Sequence, residues 1–164
     1  METLVIRDVT RNDSEAVASI YNWYIENTYY TFEENAVSAL DMAIRIEKIT
    51  SQDEWLVAEL KGVVVGFAYA APWKARDAYK YSRETTVYLD RQCFGQGIGR
   101  KLYLHLIDEL RKSPIHVLIA GIALPNEGSV AVHESVGFKK TGQFHEVGFK
   151  FNKYVDVAYW QLNL

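Results

Sequence analysis

Three glycines at alternate positions, Gly95, Gly97 and Gly99, are the feature that most constrains this chain of 164 residues. An apolar stretch at Glu84–Leu89 precedes them, and an amphipathic stretch begins at Ile98. Glycine lets the backbone approach a ligand closely, and the N–H groups and dipole at a helix start attract anions. The pattern of strand, glycine turn and helix therefore predicts a site for a compact anion such as a pyrophosphate.

Two common phosphate-binding motifs do not match this turn. A Walker loop needs a second glycine five positions after the first, where Arg100 stands here. A dinucleotide fingerprint needs Gly-x-Gly-x-x-Gly, whereas the chain has Gly-x-Gly-x-Gly. The spacing is Gln92-x-x-Gly95-x-Gly97, with Gly99 two positions later. A turn whose glycines only reverse the chain is the alternative.

Length and charge define the general class of protein. The length suits one domain, 1–164, and 49% hydrophobic with 24% charged residues is typical of a soluble globular chain. A formal net charge of −3 disfavours a protein that coats nucleic acid. The charge is uneven, because the first 60 residues carry 4 basic and 12 acidic side chains and the remainder 14 and 9. The basic remainder could hold a compact anionic ligand.

Cysteine usage and hydropathy predict a cytoplasmic location. Cys93 is the sole cysteine, which excludes an internal disulfide and the multi-cysteine zinc motifs. Met1–Arg7 lacks the basic start and apolar stretch of a signal peptide, and the longest apolar run, Val63–Pro72, falls short of the ~20 residues of a membrane helix. We expect no membrane, nucleic-acid or metal partner. Cys93 is a candidate nucleophile, but no activating pair lies near it in the sequence.

Hydrophobic periodicity predicts the element order β-α-α-β-β-β-α-β-α-β-β. The predicted helices lie near 13–26, 38–49, 98–113 and 126–136, and the strands near 4–9, 55–60, 63–71, 84–89, 117–123, 138–144 and 155–162. Asn12 and Ser38 are the predicted caps of the first two helices, and Lys61-Gly62 predicts a tight hairpin. The fold class is α/β (α+β), with helices packed on a mixed, mostly antiparallel sheet.

The glycine turn resembles the acyl-CoA pyrophosphate loop of the GNAT acetyltransferase superfamily. Further segments resemble its phosphinothricin and methionine sulfone/sulfoximine acetyltransferase group, in order along nearly the whole chain: Tyr69–Arg76 with Tyr79, Glu84–Leu89, Leu124–Asn126, Ser129–Val130, His133–Phe138, Gly148–Lys150, Asp156–Val157 and Trp160–Gln161. The resemblance implies a GNAT fold, acetyl-CoA as cosubstrate and a small amino-acid-like amine as acceptor. It also implies direct transfer in a ternary complex, and a homodimer.

The cofactor residues follow from the same resemblance. The backbone of Val87, Tyr88 and Leu89 is expected to pair with the pantetheine arm and to offer an N–H to the thioester carbonyl. Asn126 resembles the pantetheine-binding amide of the family, although an ordinary helix cap is the alternative. The remaining cofactor-binding residues implied are Gly95, Gln96, Gly97, Ile98, Gly99, Arg100 and Ser135.

Two residues are candidates for proton transfer. An amine with a pKa of ~10.4 is less than ~0.1% neutral at pH 7, so acetylation needs a base. Glu84 lies on an otherwise apolar strand where the family places that base; a surface or ion-paired carboxylate is the alternative. His133 falls where many GNAT enzymes carry a tyrosine and the phosphinothricin group a histidine. The hypothesis is that Glu84 is the base and His133 assists as base, or as acid toward the leaving thiolate.

The segment Trp73-Lys74-Ala75-Arg76 with Tyr79 resembles the substrate loop of the group. Arginine binds a carboxylate or phosphinate through two parallel hydrogen bonds, and lysine adds a point charge. A solvated basic loop is the alternative. The substrate-binding residues implied are Phe32, Trp73, Lys74, Arg76, Tyr79 and Tyr103.

Three positions depart from the group. Glu33 stands where phosphinothricin-resistance enzymes carry arginine, and Asn152 and Tyr154 stand where the group usually has Gly and Trp. The acceptor is therefore left open among phosphinothricin, methionine sulfone or sulfoximine, and another small amino acid. An acyl-CoA-sensing module with little catalysis and an acetyltransferase of another amine class are the alternatives. A nucleotide-binding oxidoreductase is disfavoured by the glycine spacing.

Overall fold

A computed structural model describes residues 3–164. Its strands are β1 (Leu4–Asp8), β2 (Trp55–Leu60), β3 (Val63–Pro72), β4 (Ser82–Leu89), β5 (Val117–Ala123), β6 (Lys139–Lys150) and β7 (Lys153–Asn163). Its helices are α1 (Ser14–Asn27), α2 (Ala39–Thr50), α3 (Ile98–Leu110) and α4 (Glu127–Ser135). This is the predicted element order. Within the described residues, no helix is both long and apolar enough to cross a bilayer.

The strands form one seven-stranded sheet in the order β1-β2-β3-β4-β5-β7-β6. Of the six neighbouring pairs, β4 and β5 run parallel and the rest run antiparallel. The hairpin between β2 and β3 turns at Lys61 and Gly62, both with positive φ. The predicted fold class, a mixed and mostly antiparallel sheet with helices packed on it, is confirmed.

Each face of the sheet carries its own apolar core. On one face, the predicted stripe of α3 is buried, with Leu102 and Leu106 fully inaccessible, and it packs on strand residues such as Ala68. On the other face, α1 and α2 pack through Val17 and Met42. The sheet therefore separates an α3–α4 side from an α1–α2 side. A ligand can reach both sides only where two strands separate.

The start of α1 differs from the prediction. Asn12 does not cap this helix, because a short 3-10 turn at Arg11–Asp13 precedes it and Thr10 forms a capping box with Asp13. The Asp13 carboxylate accepts the Thr10 N–H at 2.7 Å and both terminal nitrogens of Arg7 at 2.9 Å. The Asp13 carboxylate therefore closes the capping box of the 3-10 turn, and as N-cap residue of α1 it makes no side-chain hydrogen bond to the helix. The second predicted cap is confirmed, since Ser38 Oγ accepts the N–H of Asp41 at 3.0 Å.

The last two strands extend beyond their predicted bounds. The polar pair His145-Glu146 marks the end of the predicted strand, yet β6 continues through it to Lys150. The strand absorbs the interruption as a register shift between Phe144 and Gly148, and Glu146 adopts a positive φ of 54°. Polar residues at a bulge are compatible with a continuing strand, because β6 advances four positions here while β7 advances two, and the extra residues leave the ladder.

Candidate active site

The site lies where β4 and β5 separate. The two strands pair only at Ser82–Glu84 with Val117–Ile119, although β4 continues to Leu89 and β5 to Ala123. Beyond the last pair lies a cleft of about 620 Å³, lined by both strands and by the first turns of α4. The edge of β4 that faces this cleft has no strand partner after Glu84, whereas its other edge stays paired with β3. Its backbone groups are therefore available to a ligand that lies along the strand.

The predicted glycine turn lies at one end of this cleft. Gly95 and Gly97 have φ of 75° and 74°, a left-handed conformation that residues with a Cβ rarely adopt. The Asp90 carboxylate accepts the N–H of Gln92 at 2.8 Å and stabilises the start of the turn. Gly97 is the N-cap of α3, so the N–H groups of the first helical turn have no partner within the helix. This geometry fits the binding of a diphosphate.

Gly99 brings α3 close to β4. A Cβ at this position would lie 3.1 Å from Leu89 Cδ1, closer than ordinary contacts allow. Both Gly95 and Gly99 line the cleft. The third glycine thus serves the close packing of helix on strand, and the first two serve the conformation of the turn.

The other predicted cofactor residues divide into two groups. Asn126 lines the cleft and also caps α4, because its Oδ1 accepts the N–H of Ser129 at 3.2 Å. Val87, Tyr88 and Leu89 line the cleft as well. The side chains of four others lie elsewhere: Gln96 donates to the Gln92 carbonyl at 3.1 Å, Ile98 is buried in the core, Arg100 is exposed, and Ser135 donates to the Val132 carbonyl at 2.7 Å.

Glu84 occupies the last ladder position before the strands diverge, opposite Ile119. Side chains alternate along a strand, so its carboxylate lies on the α1–α2 side, with Thr86 and Tyr88. The carboxylate is open to the cleft, and the surrounding protein raises its pKa by desolvation, an effect that the positive charge of Lys74 opposes. A carboxylate with a raised pKa and access to a cleft is suited to accept a proton.

His133 approaches the cleft from α4 and is 3% exposed. Its Nδ1 lies 2.6 Å from the carbonyl oxygen of Ser129, which assigns the ring proton to Nδ1 and leaves Nε2 as a proton acceptor. Burial lowers the pKa of His133, so the ring is neutral at pH 7. The rings of Tyr103 and Phe138 hold it edge-on, with centroids at 4.9 Å and 5.3 Å.

The prediction that Tyr103 lines the acceptor pocket is wrong. Its side chain is fully buried, its hydroxyl is hydrogen-bonded to the hydroxyl of Thr85, and its ring contacts His133. Tyr103 belongs to the buried face of α3, next to Leu102. Tyr103 therefore lies beneath the cleft as part of its support.

The α1–α2 side of the cleft is lined by hydroxyl-bearing side chains. They are Tyr21, Tyr24, Tyr30, Thr31, Tyr69, Thr86 and Tyr88. Tyr24 donates to the carbonyl of Leu89 at 2.6 Å, and burial raises its pKa to about 12, so it stays protonated. The sequence assigned Tyr21 and Tyr24 only to the apolar stripe of α1. A tyrosine in such a stripe indicates a position at the edge of the core, because its hydroxyl needs a polar neighbour there.

A second cavity of about 490 Å³ adjoins the cleft on this side, and Tyr21, Tyr69 and Tyr88 line both. Trp73 and Lys74 of the predicted substrate loop line this cavity. Lys74 Nζ lies 4.9 Å from the centre of the Trp73 ring, and its charge reaches Glu84.

The remaining predicted substrate residues lie outside both cavities. Arg76 and Tyr79 are exposed at a short 3-10 turn, and the ring of Phe32 packs over the backbone of Gly148. The structure therefore brings Trp73 and Lys74 toward the cleft and leaves Arg76, Tyr79 and Phe32 outside its lining.

Glu33, one of the three positions that depart from the group, is held by its neighbours. Arg45 donates to both of its carboxylate oxygens, at 2.9 Å and 2.6 Å, and Tyr21 donates to it as well. The Arg45 guanidinium holds the pKa of Glu33 below its usual range. A charged and paired carboxylate thus stands beside the acceptor side of the cleft.

Candidate metal ligands and the cysteine were also located. Among residues 3–164, no group of three or more His, Cys, Asp or Glu side chains is arranged to hold a metal ion. Cys93 is buried, and burial raises the pKa of its thiol, which disfavours the reactive thiolate.

The strand separation, the glycine turn and the paired proton-transfer candidates together match an acyl-CoA-dependent transferase. Residues 6–159 match the acetyltransferase (GNAT) domain family. The chain belongs to the GNAT family of acetyltransferases, so the predicted enzyme class is confirmed.

Characterised relatives fall in the group that the sequence resembles. The chain is 38% identical over 156 residues to phosphinothricin N-acetyltransferase of Streptomyces viridochromogenes, covering 95% of this chain and 85% of the relative. It is 34% identical over 165 residues to the L-methionine sulfoximine/L-methionine sulfone acetyltransferase of Salmonella typhimurium, covering 98% and 95%. A phosphinothricin acetyltransferase of Sinorhizobium meliloti, solved with acetyl-CoA, superposes with a TM-score of 0.95 at 32% identity over 99% of this chain and 89% of that one.

Proposed function

We propose that this protein transfers the acetyl group of acetyl-CoA to the amine of a small amino-acid-like acceptor, of the phosphinothricin, methionine sulfone or methionine sulfoximine type. One observation carries the proposal: Glu84 lies at the point where β4 and β5 separate, in the same cleft as the glycine turn and the tyrosine-lined opening. A cosubstrate placed along the free edge of β4 and an amine admitted from the α1–α2 side would meet beside this carboxylate. We therefore propose direct transfer in a ternary complex.

The residues present fit acetyl-CoA, which supplies an activated thioester. The first-turn N–H groups of α3 would hold its diphosphate, with Arg100 and Lys101 adding positive charge nearby. The free edge of β4 at Val87–Leu89 and the amide of Asn126 would hold the pantetheine arm. Negative charge develops on the carbonyl oxygen during attack by the amine, and a backbone N–H of β4 would stabilise it.

The proton steps fall to two side chains. Glu84 would take a proton from the acceptor ammonium, directly or through a water, so that the nitrogen can attack the thioester carbon. A C–N bond forms and the C–S bond breaks, which leaves a thiolate that needs one proton. His133 is neutral with Nε2 as acceptor, so it would first take up a proton from the reacting amine and could then donate it to the thiolate.

The acceptor is proposed from the charges around the cleft. Lys74 stands close enough to Glu84 to act on its pKa, so an acceptor amine at Glu84 could place an acidic group near Lys74. The family resemblance also implies Arg76, Phe32 and Tyr79 as acceptor contacts, although all three lie outside the lining of both cavities. The names of the relatives support this acceptor class.

We also propose a cytoplasmic homodimer. The β6–β7 hairpin exposes several aromatic side chains at its end: Phe144, Phe149, Phe151 and Tyr154, each more than half exposed. Exposed apolar surface of this extent is typical of a protein interface. Sedimentation velocity of the full chain should give twice the monomer mass of 18.8 kDa.

The test of the reaction is release of free thiol from acetyl-CoA with a panel of amines. Methionine sulfone, methionine sulfoximine and phosphinothricin should support turnover, whereas spermidine and a lysine-containing peptide should not. Binding of acetyl-CoA in a thermal-shift assay without thiol release for any amine would instead identify a sensing module. Turnover with polyamines or peptides alone would contradict the proposed acceptor class.

A further inference from the structure

The acceptor side of the cleft depends on a segment without regular secondary structure. Residues 30–33 lie within the segment 28–38 that connects α1 to α2, and we call them the acceptor wall. Tyr30 and Thr31 line the cleft on the face that carries Glu84. A connecting segment has few backbone hydrogen bonds of its own, so contacts from elsewhere must fix its position.

The most distant of these contacts comes from the end of β6. Lys150 is 3% exposed, and its Nζ donates to the carbonyl oxygen of Thr31 at 2.8 Å, across 119 positions of sequence. Burying an ammonium is costly unless it is hydrogen-bonded. Glu33 and Glu34 lie near enough for their charges to stabilise it, which partly offsets that cost.

The same strand makes a second contact two residues earlier. A Cβ at Gly148 would lie 2.2 Å from Cζ of Phe32, so the ring occupies the space that a side chain at 148 would fill. Positions 148 and 150 point to the same side of β6, because side chains alternate along a strand. The hydroxyl of Tyr21 makes a third contact, 2.8 Å from the Thr31 hydroxyl.

We propose that Lys150 is a positioning residue for the acceptor: by binding the Thr31 carbonyl it holds the acceptor wall against the cleft and so sets the affinity for the amine. The inference rests on the proposed function, because the amine is taken to enter on this face. Lys150 contacts the Thr31 carbonyl and the Phe151 ring, and neither belongs to the glycine turn or to the free edge of β4. Its removal should therefore affect the acceptor and spare acetyl-CoA.

The kinetic test compares matched substitutions on one strand. Lys150→Met keeps most of the aliphatic stem and removes the ammonium, and Lys139→Met makes the same change at an exposed lysine of β6. We expect KM for the acceptor to rise about tenfold in Lys150→Met, with KM for acetyl-CoA unchanged, because a hydrogen bond from a charged donor is lost. Lys139→Met should match the wild type, and Lys150→Arg should recover part of the loss. An equal rise in both KM values would overturn the positioning role.

A second measurement does not depend on turnover. Chymotrypsin cleaves after aromatic residues, and the acceptor wall contains Tyr30 and Phe32. Cleavage there should be faster in Lys150→Met than in the wild type or Lys139→Met, with unchanged protection elsewhere. Gly148→Ala, which displaces the Phe32 ring, should give the same pattern if Lys150→Met fails to fold. Wild-type cleavage rates in both variants would overturn the inference, whereas a wild type that acetylates no amino acid would overturn the proposed function and leave this measurement valid.

Discussion

The two sides of the sheet are built from different kinds of groups. On the α3–α4 side, the proposed cosubstrate site consists mainly of backbone: two glycines with positive φ, a helix N-terminus and the free edge of β4. On the α1–α2 side, the cleft is lined by side chains from α1, the acceptor wall, β3 and β4. The first arrangement needs only a local run of sequence, whereas the second needs residues from distant parts of the chain.

On the proposed function, this difference separates the cosubstrate site from the acceptor site. The backbone features would suit any acyl-CoA, because they would contact groups that every such molecule carries. The departures from the family pattern, at Glu33, Asn152 and Tyr154, all fall outside the glycine turn. Glu33 lies on the acceptor side, where Arg45 holds its carboxylate. We therefore expect residues on this side to determine which amine is accepted.

The largest effect should come from Glu84, whose carboxylate lies on the α1–α2 side where β4 and β5 separate. Glu84→Gln keeps the shape and removes the base, so kcat/KM should fall about 10²–10⁴-fold while the affinity for acetyl-CoA is unchanged. In the wild type, activity should rise with pH through the pKa of Glu84, which desolvation places above that of an ordinary glutamate. In the variant, the part of this acidic limb that reflects Glu84 should disappear, and only the titration of His133 should remain. Glu146→Gln, at an exposed position, is the control; an acidic limb identical in Glu84→Gln and the wild type would assign the base elsewhere.

The next effect tests the backbone-built side. Gly97→Ala forces a Cβ into a φ of 74°, which costs about 1–2 kcal/mol, so we expect the turn to change shape. KM for acetyl-CoA should rise about tenfold, and KM for the amine should stay close to the wild-type value. Gly142→Ala is the matched control, because its φ is not positive and its Cβ meets nothing within 4 Å. If the amine KM rose instead, the division between the two sides would be wrong.

Much of the fold could be predicted from the sequence because its signals are local. The Ser38 cap, the Lys61-Gly62 hairpin and the apolar stripe of α3 each depend on neighbours within about one or two turns of chain. The strand–glycine–helix unit is local too. Glu84 and His133 were named through family resemblance, and the structure places both in one cleft.

The remaining features depend on contacts that no local pattern contains. Tyr103 is amphipathic, so sequence alone does not decide between a pocket wall and a buried hydrogen bond with Thr85. The contact of Lys150 with Thr31 joins residues 119 positions apart. The Asp13 carboxylate, which closes the capping box at Thr10, also pairs with Arg7 from β1. In each case the partner, and not the residue type, determines the role.

A smaller effect should come from Lys74, which lies on the α1–α2 side of the cleft. Its positive charge lowers the pKa of Glu84, so Lys74→Met should raise that pKa further. At a fixed pH in the acidic limb, less carboxylate is then available, and the limb of kcat/KM should move to higher pH. The maximal kcat at high pH should change little. Lys80→Met, at an exposed lysine beyond the 3-10 turn, should leave the pH profile unchanged. If the acidic limb of Lys74→Met lies at the same pH as in the wild type, the charge of Lys74 does not affect the pKa of Glu84.

The smallest effect on activity should come from Tyr103, which supports the cleft without lining it. Tyr103→Phe keeps the ring against His133 and leaves the buried Thr85 hydroxyl without its partner, at a cost of about 1–3 kcal/mol in the free energy of unfolding. For a chain of this size, each kcal/mol lowers Tm by about 2–4 °C. Both KM values should stay within about twofold of the wild type, because the hydroxyl lies beneath the cleft and not in its lining.

Tyr103→Phe with Thr85→Val should recover stability, since removing both hydroxyls leaves no unpaired group. A selective rise in the amine KM with unchanged Tm would instead return Tyr103 to the acceptor pocket.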